Sequence, residues 1–176
     1  EEIEQDFALI TKGRKSQDLH KSNVLIGDAS KLFIEEGAEI FCSSLNTTKG
    51  SIYVGKNAEI MEGSNVRGGL AMCEHSALKL GAKVYGATTL GPYTKVGGEV
   101  NNVVFLGYSN KGHDGFLGNA VIGEWCNLGA DTNTSNLKNR LKLHQDGKVK
   151  STQNRLPLEL IYFEGCINQQ DATRRE

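Results

Sequence analysis

The chain has 176 residues, a formal charge of −1 and 38% hydrophobic residues. That length supports one core and excludes two ordinary catalytic domains. The near-neutral balance excludes the basic face of a nucleic-acid protein, so no nucleic-acid partner is expected. No apolar run approaches the roughly 20 residues that span a bilayer, and the acidic start Glu1-Glu2-Ile3-Glu4 is no signal peptide. We therefore expect a cytoplasmic protein with no membrane partner. Cys42, Cys73, Cys126 and Cys166 form no CxxC pair and read as reduced thiols, a disulfide framework being the second reading.

Residues 1–22 carry no repeat and read as a lead-in or linker from an upstream domain. Ile3, Phe7, Ala8 and Ile10 make one apolar face of a short helix that Lys12-Gly13-Arg14-Lys15 would end. Residues 23–139 are expected to form one solenoid. It begins with imperfect spacing at Ile26, Ile34 and Ile40, and the polar stretch Ser43 to Ser51 reads as an ejected loop.

From Val54 an aliphatic residue then recurs at every sixth position: Val54, Ile60, Val66, Met72, Leu78, Val84, Leu90 and Val96. Four positions after the first seven come Ala58, Ser64, Leu70, Ser76, Ala82, Thr88 and Thr94, all small except Leu70. A period of six fits neither a helix nor a simple two-sided sheet. It fits a hexapeptide solenoid in which each hexad is one short strand and a corner.

Three hexads close a triangular coil, so residues 18 apart stack at the strand spacing of about 4.8 Å. The expected interior columns are Val54–Met72–Leu90, Ile60–Leu78–Val96 and Val66–Val84, with the small partners also turned inward. At the corners, Asn57, Gly63, Gly69 and Gly81 suit a positive φ.

The register slips by two residues between Val96 and Val104. It is expected to resume at Val104, Asn110, Phe116, Ile122, Leu128 and Thr134, with Ala120, Cys126 and Thr132 as small partners. Asn110 is the strongly polar member of that series, which directs attention to the segment from Glu99 to Asp114. Residues 140–176 show no hexad and read as a cap or non-repeat end.

Lys111-Gly112-His113-Asp114-Gly115 follows the break, with His113 at a corner and facing outward. An exposed imidazole has an ordinary pKa near 6.5, which suits a general base, although a solvated loop histidine looks the same in sequence. His20, His75 and His144 read as surface residues. No HxH or HxxxH spacing occurs, so no metal is expected. Asp131 to Asn136 offers amide and hydroxyl groups for a sugar and its phosphate, or simply a hydrated turn. Trp125 reads as an exterior packing residue or an interface anchor. No P-loop is present.

The run Gly112-His113-Asp114-Gly115-Phe116-Leu117-Gly118-Asn119-Ala120-Val121-Ile122-Gly123, with Cys126-Asn127-Leu128-Gly129-Ala130 and Thr134-Ser135-Asn136, carries a resemblance. It resembles the acetyltransferase domain of the bacterial bifunctional N-acetylglucosamine-1-phosphate uridylyltransferase/glucosamine-1-phosphate acetyltransferase family. It is closer still to that family's Bacteroidetes-type sugar nucleotidyltransferase relatives. The similarity covers about residues 6 to 139.

The resemblance implies a left-handed parallel β-helix, a homotrimer with sites between subunits, and acetyl-CoA as co-substrate. The implied substrate is a sugar phosphate or nucleotide sugar. The uridylyl-transfer activity of the family lies in a domain that would precede this chain. By the same resemblance the catalytic histidine falls on His113. The sugar-contacting tyrosine position holds Phe116, and the two asparagines fall on Asn127 and Asn136. The phosphate-binding lysine position falls near Asn101, and a basic residue one coil earlier matches Lys83. The family's acetyl-CoA pocket is built from coils beyond Asn136, which are not recognisable here. A non-catalytic β-helix that trimerises or regulates an upstream nucleotidyltransferase is the alternative.

Overall fold

A strand of two or three residues cannot bury an apolar face alone, but stacked coils of such strands share one lumen. The computed structural model describes residues 2–134, 142, 143, 145–148 and 150. Over the repeat these form a parallel β-helix of about six turns, preceded by a short helix.

Three faces recur. Face one stacks Leu32–Ile34, Ile52–Val54, Leu70–Met72 and Thr88–Leu90. Face two stacks Glu39–Ile40, Glu59–Ile60, Ala77–Leu78, Lys95–Val96 and Asn110–Lys111. Face three stacks Val24–Ile26, Ser44–Asn46, Asn65–Arg67 and Lys83–Tyr85. The longer strands Glu99–Phe105 and Phe116–Ile122 then run from face three into face one in a single piece. They turn that corner at Asn102 and Asn119, both at positive φ, and Asn102 Nδ2 donates to Asn119 Oδ1 at 2.9 Å.

The expected columns are the observed ones. Val54 pairs with Met72 and Met72 with Leu90; Ile60 pairs with Leu78 and Leu78 with Val96; Val66 pairs with Val84. All eight are buried, as are Ala58, Ser64, Leu70, Ser76, Ala82, Thr88 and Thr94. Each large aliphatic so enclosed contributes about 1.5–3 kcal/mol relative to exposure.

Four expectations are corrected. Ser43 to Ser51 is not ejected: Ser44–Asn46 is a face-three strand with Leu45 fully buried between Leu25 and Val66. Only Thr48 and Lys49 of that stretch are exposed. Ile26 is exposed, and Leu25 fills the column instead. Gly69 does not adopt positive φ, whereas Asn57, Gly63 and Gly81 do.

The fourth correction concerns the register after the break. Phe105, Lys111 and Leu117 are buried, whereas Val104 is exposed and Asn110 and Phe116 are half-buried. Successive strand residues face opposite sides, so the one-residue error inverted all three assignments. A five-residue step from Leu117 to Ile122 restores the phase, and Ile122 and Leu128 pack on the core as expected.

The helix α1 (Glu2–Thr11) covers the outer side of face one with Ile3, Phe7 and Ile10, and Gly13 follows it at φ 72°. Glu4 accepts bonds from the backbone and hydroxyl of Ser51, which hold its carboxyl below the usual carboxylate range. Arg14 pairs with Glu35 at 2.5 Å. The residues after the helix also cap the first coil, since Gln17 N–H donates to the Ile34 carbonyl at 2.7 Å. The end of the solenoid near residue 139 lies outside the described residues.

Candidate functional site

The corner between faces two and three carries the sharpest shortening of the repeat. Six residues separate Leu78 from Val84 and Lys111 from Leu117, but only four separate Val96 from Val100. The middle coil therefore cuts its corner, and Gly97-Gly98 makes the short cut. A Cβ on Gly97 would lie 2.7 Å from the Gly112 oxygen; Gly98, at φ 71°, would place one 2.8 Å from the Gly115 oxygen. No other residue type fits there without displacement.

The recess becomes a cavity of about 280 Å³. Met61, Lys79 and Leu80 form one wall, Gly97 and Gly98 the floor, and Gly112, His113 and Asp114 the other wall. His113 is exposed on this wall, outward at a corner as expected from sequence. A larger hollow of about 470 Å³ lies beside the start of α1, but among the described residues Glu2 is the only ionisable side chain lining it.

Behind the His113 wall the lumen contains a lysine. Lys111 is 1% exposed and occupies the column position above Val96. Its Nζ donates to the carbonyls of Gly97 at 2.9 Å, His113 at 3.1 Å and Gly115 at 2.8 Å. An ammonium has three donors, and all three are used. Burial pushes its pKa down, with the Asp114 charge opposing. Residue Gly97 is held on both sides, because its N–H, in the preceding peptide, donates to the Lys111 carbonyl at 2.6 Å.

The other candidates lie on the two faces flanking this corner. Lys83 and Phe116 both pair with Glu99 on face three, so the three stand in one row across adjacent coils. Asn101 lies in the next row, between Tyr85 and Gly118. Tyr85 donates a short hydrogen bond to Glu99, which raises the phenol pKa. Asn127 is on face two, bridged to Asn110, whose Nδ2 donates to Asn127 Oδ1 at 2.9 Å. Thus His113 sits on the edge with Phe116, Asn101 and Lys83 on one side and Asn127 on the other. Asn136 lies outside the described residues. In the Asp131 turn, Asn133 Oδ1 accepts the Phe116 N–H at 2.8 Å, which ties the following coil to this site.

Sequence reasoning missed Lys111, Lys79 and the Gly97-Gly98 floor. The adjacent glycines inside the two-residue slip were the available signal. A hidden lysine had none, since a lysine in a polar loop is ordinarily solvated.

The corner between faces one and two carries aromatic rings. His75, Tyr93, Tyr108 and Trp125 stack in succession, with centroids 4.7, 5.4 and 4.6 Å apart and interplanar angles of 15° or less. All four adopt positive φ, and each N–H donates to a carbonyl of the preceding coil. Trp125 is 59% exposed at the end of this row.

Among the described residues no three His, Cys, Asp or Glu side chains converge as metal ligands, and Cys42, Cys73 and Cys126 are free thiols. No helix among them is long and apolar enough to cross a membrane. No protein-family model matches the chain, and a search of curated proteins finds no match.

Proposed function

We propose that this chain is an acyl-CoA-dependent transferase domain, with acetyl-CoA as donor and a sugar phosphate or nucleotide sugar as acceptor. One observation carries the reading: an exposed imidazole stands on the wall of a recess that the solenoid makes where Gly97-Gly98 cuts a corner to a four-residue step. A deliberate break in a repeat marks a site more often than a defect.

In this reaction the acceptor nitrogen or oxygen bonds to the thioester carbonyl carbon while His113 takes its proton. The tetrahedral adduct then collapses, the C–S bond breaks, and the proton passes to the departing thiolate. No covalent enzyme intermediate is needed, so the cysteines have no part. Lys79 on the rim and Lys83 on face three supply positive charge for a phosphate. A homotrimer, as in the resembling family, would place a second subunit against these faces.

A second reading, a β-helix that trimerises or regulates an upstream nucleotidyltransferase, is favoured by Phe116 and Asn101, which lack the hydroxyl and charge expected of a catalytic member. Calorimetry with acetyl-CoA separates the two. The transferase reading expects saturable binding; no heat at millimolar acetyl-CoA would leave the scaffold.

A further inference from the structure

Lys111 does more than fill the lumen. Each carbonyl that it binds belongs to a planar peptide whose N–H points the opposite way. The Gly97–Gly98 and His113–Asp114 bonds are trans. With the carbonyls of Gly97 and His113 drawn inward onto the ammonium, the N–H groups of Gly98 and Asp114 are turned outward. Both residues line the recess beside His113. Among the described residues, neither N–H donates to a protein acceptor. The third peptide is different, because the Phe116 N–H is already taken by Asn133.

We propose that the Gly98 and Asp114 N–H groups form a two-donor oxyanion cradle facing His113, and that Lys111 is the positioning residue that aims them. The ligand class is a small oxygen anion: a carboxylate, or the negative oxygen of the tetrahedral adduct formed from a thioester. Two peptide dipoles with their positive ends outward, backed by a buried cation, favour such a charge. Gly97 and Gly98 are needed because a side chain at either would strike the backbone of the next coil. The catalytic role rests on the transferase reading above; the anion site does not.

The test is an amide-resonance titration of the ¹⁵N-labelled full chain with acetate. We expect the Gly98 and Asp114 resonances to shift to saturation while those of the interior columns stay still. In Lys111→Met both shifts should be lost, with interior resonances remote from residue 111, such as those of Val54 and Ile60, unchanged. No shift of the two amides in the unsubstituted chain overturns the cradle, whether or not Lys111→Met folds.

Turnover supplies the second arm. Lys111→Met should lower kcat about 10²-fold at unchanged KM for the acceptor, the effect expected when oxyanion donors are misdirected. Unchanged kcat overturns the positioning role. Acetate shifts in a chain that never transfers an acyl group would uphold the cradle and defeat the transferase reading alone.

Discussion

The Lys111 ammonium lies 3.1 Å from the carbonyl oxygen of His113, so a charge sealed inside the solenoid holds the backbone of an imidazole outside it. Desolvating an ammonium costs several kcal/mol unless its donors are satisfied. Three carbonyls, all from the recessed corner or the loop after it, meet that requirement. The position most hostile to charge is thus coupled to an exposed candidate base.

His113→Ala should lower acyl transfer by about 10²-fold or more and leave the fold and assembly state intact. The side chain is exposed, and the Lys111 contact uses only its backbone. Steady-state transfer with acetyl-CoA and the oligomer mass check the two halves; an unchanged rate removes His113 from the mechanism.

Gly98→Ala should destabilise the chain by at least about 1–2 kcal/mol, since the positive φ alone carries that cost for an L side chain. The added Cβ would also sit 2.8 Å from the Gly115 oxygen and 3.0 Å from the Asp114 Cα. The loss is read by urea denaturation. Ala at Gly81, also at positive φ but with open space around it, should cost less.

Thr94→Val should stabilise the protein by about 1 kcal/mol, because a buried hydroxyl without a partner is worse than a methyl of the same shape. The Thr94 Oγ1 is enclosed and finds no acceptor or donor among the described residues, and Thr88 is in the same state. A lower midpoint in the Thr94→Val chain would show that an undetected water satisfies the hydroxyl.

In the aromatic row, Tyr93→Ala removes two stacked neighbours and Trp125→Ala one. Each such pair is worth about 0.5–1.5 kcal/mol beyond its buried area. Tyr93→Ala should therefore lower stability more than Trp125→Ala, although Trp125 is the larger ring. Equal losses would show that the rows are energetically independent of stacking.

Alkaline stability should depend on Tyr53. Burial first, then its hydrogen bond to Glu35, raise the phenol pKa from 10.0 to about 12. Between those values the unfolded chain loses its proton while the folded chain keeps it, so stability is complete below pH 10 and declines as the pH rises to about 12. Tyr53→Phe should flatten that decline in denaturation midpoints measured across the interval.

Local pattern was enough to read off the solenoid, the three interior columns from Val54 to Val96, the small inward partners and the apolar face of α1. These follow from local rules: a strand alternates, a coil closes after three hexads, and an aliphatic seeks the lumen. The position of His113 at a corner was legible although the count behind it began at Asn110, one residue early, because the corner between Lys111 and Leu117 is five residues wide. The rest depended on contacts between coils. Leu45 was hidden because a polar neighbourhood masks one inward residue, and Lys111 because a lysine enters a core only where distant carbonyls meet its donors. The recess beside His113 depends on three coils having unequal corners, 79–83, 97–99 and 112–116. No single hexad records that difference; it exists only once the coils are stacked.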